Sequence, residues 1–148
     1  MGRRILLAAA VALAGCGGNG AQSAGSCAID RGQIPQWAAT GFSDPHPSMP
    51  HVVGDGGLIA ALVFGDPLVA PPDSRRANKI LWVARDPIDE PTSLKIHAVS
   101  GGRVVDRTLS EGVGPSIVDL PAGCWKLKLT WGPGEHQHDT LSLAYKAT

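Results

Sequence analysis

Trp125-Lys126-Leu127-Lys128-Leu129-Thr130-Trp131 is the stretch of sequence that decides the fold. Apolar and polar side chains alternate through all seven positions, and a period of two places every second side chain on the same face of a β-strand. A second alternating run, residues 140–146, follows the turn-forming stretch Gly132-Pro133-Gly134. The two runs predict an antiparallel hairpin with one apolar face and one polar face.

Five earlier segments are also typical of strands. Residues 58–64 and 80–84 are short apolar runs bounded by Gly, Asp and Pro, which favours buried strands, the second with both faces covered. Residues 94–98 alternate and reach residues 103–109 through Ser100-Gly101-Gly102, which is typical of a hairpin turn, and residues 116–120 follow. About seven short antiparallel strands without a capped amphipathic helix predict an all-β fold, a β-sandwich.

The beginning of the chain has the pattern of an export signal. Arg3 and Arg4 precede an apolar run, residues 5–14, that is too short to span a bilayer as a helix. The run closes on Leu13-Ala14-Gly15-Cys16, which resembles the lipobox of bacterial lipoproteins. That resemblance implies cleavage before Cys16 and a diacylglycerol on its sulfur, with the protein held at the extracytoplasmic face of the cell membrane. An ordinary secretory signal with an incidental cysteine is the alternative.

The chain therefore divides into three parts: a signal peptide at 1–15, a lipidated flexible tether at 16–26, and a sandwich domain at 27–148. Ten Gly-, Ser- and Ala-rich residues in the tether have a root-mean-square reach of about 17 Å. The domain opens with a Pro-rich segment up to residue 53, expected to lie as extended coil over the domain with Trp37 and Phe42 as anchors.

Net charge argues against a nucleic-acid partner. Removal of Arg3 and Arg4 with the signal peptide would leave 11 basic residues against 13 acidic ones. The remaining chain would then have a net charge of about −2 with histidine neutral. Arg75-Arg76 is the one basic pair in sequence that remains, and such a pair is usually solvated surface.

The three cysteines have two predicted roles. With Cys16 assigned to lipid, Cys27 and Cys124 are an even pair in an oxidising compartment and are predicted to form a disulfide. Cys124 has the parity of Lys126 and Lys128, so it should point away from the space between the sheets. Two free or metal-binding thiols are the alternative.

Two resemblances extend this interpretation. Pro121-Ala122-Gly123-Cys124-Trp125 is similar to the corner before the penultimate strand of immunoglobulin-like sandwiches, which implies that fold for residues 27–148. A second resemblance is carried by four motifs in order: Gly41-Phe42-Ser43-Asp44-Pro45, Asn78-Lys79-Ile80-Leu81-Trp82-Val83, Gly123-Cys124-Trp125 and Asp139-Thr140-Leu141. With these motifs the chain resembles a group of uncharacterised actinobacterial lipoproteins, which implies a fold and a location but no reaction.

Histidines suggest one candidate metal site. His136 and His138 would share one side of an extended chain, and the Pro-rich segment adds His46, Met49 and His51. Imidazole and thioether together suit copper, whereas zinc would accept the histidines and gain little from the thioether. Against this hypothesis, hairpin tips and Pro-rich loops carry such residues without a metal. A copper- or zinc-binding envelope lipoprotein is therefore an alternative function.

Four tryptophans raise the question of a carbohydrate site. Trp125 and Trp131 share the parity of leucines and Trp82 lies in an apolar run, so burial explains these three. Trp37, in the Pro-rich segment, is the one candidate ligand contact.

No catalytic signature is present. The sequence has no Gly-x-Ser-x-Gly elbow, no His-Glu-x-x-His motif and no phosphate-binding glycine loop. We therefore expect a non-catalytic, lipid-anchored binding domain without a cofactor, which contacts the membrane through its lipid and an envelope protein or glycan through its loops. A sandwich-type inhibitor of extracellular proteases is a further alternative.

Overall fold

The computed structural model describes residues 27–86, 88 and 92–148. The expected signal peptide, Cys16 and tether lie outside these residues. Two sheets face each other: sheet I has the order β1-β2-β4-β7, and sheet II has the order β3-β9-β8-β5-β6. The strands are β1 (His51–Val53), β2 (Ile59–Val63), β3 (Leu68–Ala70), β4 (Lys79–Ala84), β5 (Leu94–Ser100), β6 (Arg103–Leu109), β7 (Pro115–Ile117), β8 (Gly123–Trp131) and β9 (Gln137–Ala147). Short 3-10 helices occupy Gln36–Ala38 and Pro133–Glu135.

The all-β sandwich predicted from the sequence is confirmed. The hairpin at its centre, β8 with β9, keeps one register from Gly123 opposite Tyr145 to Trp131 opposite Gln137. Sheet I holds β2, β4 and β7 in the order of strands A, B and E of an immunoglobulin-like sandwich. Sheet II holds β5, β8 and β9 in the order of its strands C, F and G.

Three tryptophans form the centre of the core, as predicted from the parity of Trp125 and Trp131 and from the apolar run around Trp82. Trp82 of sheet I and Trp125 and Trp131 of sheet II are at most 1% exposed. Two of the three buried indoles donate hydrogen bonds: Trp82 donates to Ser116 Oγ at 2.9 Å, and Trp125 donates to the Pro121 carbonyl at 2.7 Å.

The structure adds two strands to the seven expected. Both are three residues long: β1 lies inside the segment expected to be coil, and β3 lies between Pro67 and Pro71. The chain leaves β2 in sheet I and enters sheet II as β3, so β3 runs parallel to β9 while the other pairs are antiparallel. A strand flanked by prolines is tolerated at a sheet edge, and β3 is the edge strand of sheet II.

The Pro-rich segment covers the outer face of sheet I. Ile34, Ala38 and Ala39 are buried against Ala60 and Leu62, and the partly buried residues Trp37, Phe42, Met49, Val53, Leu81 and Val83 pack around them. Trp37 and Phe42 therefore anchor the segment, as expected, although part of it is a 3-10 helix and isolated bridges rather than coil. All five residues of β2 are buried, because this strand is covered on both faces. The outer face of sheet II has no equivalent cover among the described residues.

Candidate functional site

Four of the chain's five lysines project from the outer face of sheet II: Lys95, Lys126, Lys128 and Lys146. Strand alternation puts them there, because β5, β8 and β9 bury every second residue and leave these four positions exposed. The register places His97 opposite Lys128 and Val99 opposite Lys126, so the side chains of the two strands meet on one surface. We call this surface the lysine face.

Little negative charge opposes these lysines. Among the outward positions of the described strands of sheet II, Asp106 is the one acidic residue, and its Oδ1 lies 2.7 Å from Nδ1 of His97. Lys95 forms an ion pair with Glu135 at the tip of the β8–β9 hairpin. Within residues 27–86, 88 and 92–148, no ion pair involves Lys126, Lys128 or Lys146. The lysine face is therefore a surface of net positive charge.

The predicted disulfide lies at one end of this face. Cys27 is bonded to Cys124 with Cα atoms 5.7 Å apart, a normal separation. Cys124 is exposed and has the parity of Lys126, so the bridge is outside the sandwich core, as alternation predicted. Cys27 lies beside Ala144 and Lys146 in one surface hollow. We call this end of the lysine face the tether end, defined by Cys27, Cys124, Lys126 and Lys146.

Two exposed aliphatic residues extend the tether end. Val99 is 38% exposed and Val104 is 55% exposed, and they lie opposite each other in β5 and β6. Val99 is also opposite Lys126, so both valines project from the lysine face. Arg103 holds this hairpin against the start of β8, with its guanidinium 4.9 Å from the centroid of the Trp125 ring.

The other exposed large hydrophobic residues of the described chain lie apart from this face. Phe64 contacts the ammonium of Lys79, which is 5.6 Å from its ring centroid, and Ile117 is opposite Lys79 on sheet I. Lys79 is thus the one lysine of the chain that does not belong to the lysine face.

The histidines proposed as metal ligands occupy separate settings. His51 is 3% exposed, and its Nδ1 lies 2.9 Å from the Met49 carbonyl oxygen. His46 Nδ1 lies 3.0 Å from Gln33 Nε2. His138 projects outward from β9, opposite Thr130. Among residues 27–86, 88 and 92–148, no group of three or more His, Cys, Asp or Glu side chains could hold a metal ion.

The prediction that His136 and His138 share one side of the chain assumed an extended backbone at both residues. His136 instead ends the 3-10 helix in the right-handed helical region, with φ −78° and ψ −19°, and β9 begins only at Gln137. Alternation therefore does not apply to this pair, and no three of the four proposed histidines form a group that could hold a metal ion.

Trp37 lies half-buried over sheet I. Its ring belongs to the packing of the Pro-rich segment, on the face of the molecule opposite the lysine face. The exposed part of the Trp37 ring stays a candidate ligand contact.

One buried carboxylate, that of Asp139, was not predicted from the sequence. Asp139 is 6% exposed and accepts the backbone N–H groups of Gly56 at 2.7 Å, Leu58 at 2.9 Å and Thr140 at 2.8 Å. It joins the β1–β2 turn to β9. An acidic residue at an inward position of an alternating strand is the signal that could have identified it.

Among the described residues, no helix is long and apolar enough to cross a membrane. No protein-family model, no curated protein and no solved structure matches the chain. The resemblance to actinobacterial lipoproteins therefore stays an expectation from the sequence.

Proposed function

We propose that this chain is a non-catalytic binding module, anchored by lipid at Cys16 to the extracytoplasmic face of the cell membrane, that recognises an anionic partner through the lysine face. The observation that carries the proposal is the concentration of four of the five lysines on one open sheet surface. The chain as a whole has a formal net charge of +0, so this concentration is local. A local field of one sign attracts partners of the opposite sign.

Three buried polar side chains support a non-catalytic role, because each of the three is engaged in holding the fold. Asp139 accepts three backbone N–H groups, as described above. Asn78 is fully buried and bridges both backbone atoms of Val69, at 2.9 and 2.8 Å, to Asp119. Tyr145 donates to the Val118 carbonyl at 2.6 Å.

The lysine spacing supports recognition of a repeated anionic group rather than a single ion. Lys126 and Lys128 are two residues apart on β8, a separation of about 7 Å along a strand. Lysine presents a compact charge on a flexible stem, which suits phosphate or carboxylate groups whose positions vary. Such contacts give affinity that falls as salt concentration rises.

Binding of inorganic polyphosphate to the lipidated full chain in neutral detergent tests this proposal. Lys126→Gln with Lys128→Gln should weaken binding about tenfold or more, since each basic residue near an anionic surface contributes about 1 kcal/mol. Arg75→Gln with Arg76→Gln is the matched control, because this exposed pair lies in the loop between β3 and β4. Equal loss in both double variants, or no binding at low salt, would contradict the proposal.

A further inference from the structure

We propose that the anionic partner of the lysine face is the phospholipid headgroup layer of the membrane that holds the anchor, and that the sandwich lies on this layer through its tether end. This inference rests on the proposed function, since it takes both the lipid at Cys16 and the anionic partner as given. It names the partner and the orientation of the domain.

The position of the disulfide supports this orientation. Cys27 follows Cys16 after ten intervening residues, and the bridge to Cys124 fixes Cys27 on the same face as Lys126. The tether expected from the Gly- and Ser-rich composition of residues 17–26 would keep its ends about 17 Å apart on average. The tether end is therefore held close to the headgroups, at a high effective concentration.

The charges at the tether end complement an anionic lipid surface. Lys126 and Lys146 are exposed, and the nearby carboxylate of Asp66 is paired with Arg31 at 2.8 Å. Each basic residue close to an anionic membrane strengthens binding about fivefold, provided that it lies within a Debye length of about 8 Å. Contact of the tether end with the headgroups would bring both lysines within that range.

Val99 and Val104 distinguish a lipid surface from a soluble anion. Their exposed side chains lie opposite each other beside Lys126, on the face that would meet the headgroups. Apolar side chains next to basic ones are the combination that inserts into the boundary between headgroups and acyl chains. A soluble polyanion would leave both valines in water.

Amine labelling followed by mass spectrometry tests the inference on the lipidated full chain reconstituted in vesicles. Lys126 and Lys146 should react at least about threefold more slowly on vesicles containing phosphatidylglycerol than on phosphatidylcholine alone, and high salt should remove the difference. Lys79 is the internal control and should react equally on both. Equal rates for Lys126 and Lys146 on the two vesicles, or equal slowing of Lys79, would overturn the inference.

A pair of matched substitutions tests the role of the valines. Val104→Thr should reduce the protection of Lys126 on phosphatidylglycerol vesicles, whereas Ile117→Thr should leave it unchanged, because Ile117 is equally exposed on the other sheet. Threonine keeps the branched shape that strands favour, so both variants should fold. An equal effect of the two variants would overturn insertion by Val104.

Inorganic polyphosphate separates this inference from the proposed function. If polyphosphate slows labelling of Lys126 and Lys128 while phosphatidylglycerol vesicles do not, the lysine face has a soluble anionic partner and the membrane inference fails alone. If neither slows labelling, the proposed function fails as well.

Discussion

Cys27 and Cys124 are joined across 97 positions of sequence, and their bridge lies on the outer face of sheet II rather than between the sheets. The bond therefore fixes the start of the domain beside Lys126 and the lysine face. In antibody domains the conserved disulfide instead links the two sheets through the core. Here it fixes Cys27, the first described residue, on that outer face.

Loss of this bridge should destabilise the domain. In the chain-entropy description, a loop of this length contributes about 4 to 5 kcal/mol, and measured losses for removal of a native disulfide are about 2 to 5 kcal/mol. We expect Cys27→Ala with Cys124→Ala to lower the free energy of unfolding in urea by that amount. An unchanged urea midpoint, or two alkylatable thiols at these positions in the unreduced protein, would show that the bridge does not form.

Substitution of Asp139 should loosen the junction between the β1–β2 turn and β9. Asp139→Ala removes the carboxylate that accepts the backbone N–H groups of Gly56 and Leu58, at a cost of about 1 to 3 kcal/mol because both hydrogen bonds are partly buried. Asp55→Asn is the control, since Asp55 is exposed and accepts only the Thr140 hydroxyl among the side-chain bonds of the described chain. Thermal melting should separate the two variants clearly; similar melting temperatures would contradict the structural role of Asp139.

Gly54 should not tolerate a side chain, because the carboxylate of Asp139 occupies the space beside it. A Cβ at this position would collide with the carboxylate of Asp139. We expect Gly54→Ala to destabilise the domain by about 1 to 3 kcal/mol, because that carboxylate cannot move without losing its backbone donors. Gly41→Ala is a comparison without a steric clash, because a Cβ added there would meet no atom within 4 Å beyond its chain neighbours. The φ of +92° at Gly41 still gives this variant a conformational cost.

The Pro-rich segment should contribute to stability as part of the core. Ile34 is 2% exposed over sheet I, so Ile34→Ala should cost about 2 to 4 kcal/mol. Ile117→Ala is the matched control, because Ile117 is 59% exposed. Equal urea midpoints for the two variants would mean that the segment does not pack on sheet I in solution.

Alkaline pH should destabilise the domain through its single tyrosine. Burial raises the pKa of Tyr145 well above its ordinary value of 10.0, and the negative charge of Asp119 raises it further. Because the folded-state pKa is the higher one, the stabilising contribution of the neutral phenol is complete below pH 10.0 and is lost as the pH rises above it. Ultraviolet absorbance of the phenolate should therefore appear together with unfolding.

Tyr145→Phe provides the control for this titration. The variant should lose about 1 kcal/mol near neutral pH, with the hydrogen bond to the Val118 carbonyl, and its stability should fall less steeply above pH 10.0. A phenolate signal that appears in the folded protein near pH 10.0 would contradict the burial of this hydroxyl.

The strands that carry the fold could be predicted because their signals are local. Alternation alone identifies β8 and β9, and the length and composition of residues 80–84 identify β4 as a strand, although only its inward face is fully buried. The parity of Cys124 also gives the direction of its side chain correctly. Each of these predictions uses a few neighbouring residues and no knowledge of the sheet order.

The lysine face could not be predicted in full because it depends on the order of strands in sheet II. Lys126 and Lys128 show a polar side of β8, but Lys95 and Val104 join it only through pairings between β5, β6 and β8. Likewise, β3 is three residues long between prolines, and its place beside β9 follows from the crossing between sheets. The turn at His136 is local, yet the 3-10 conformation there replaced the extended chain that alternation assumes.

Anchoring at Cys16 is tested most directly by the intact mass of the protein extracted from the membrane fraction. We expect a chain that begins at Cys16, carries a diacylglycerol on that residue, and contains one disulfide between Cys27 and Cys124. A processed chain in the medium without fatty acid, or a Cys16 thiol that reacts with an alkylating reagent, would contradict lipid anchoring.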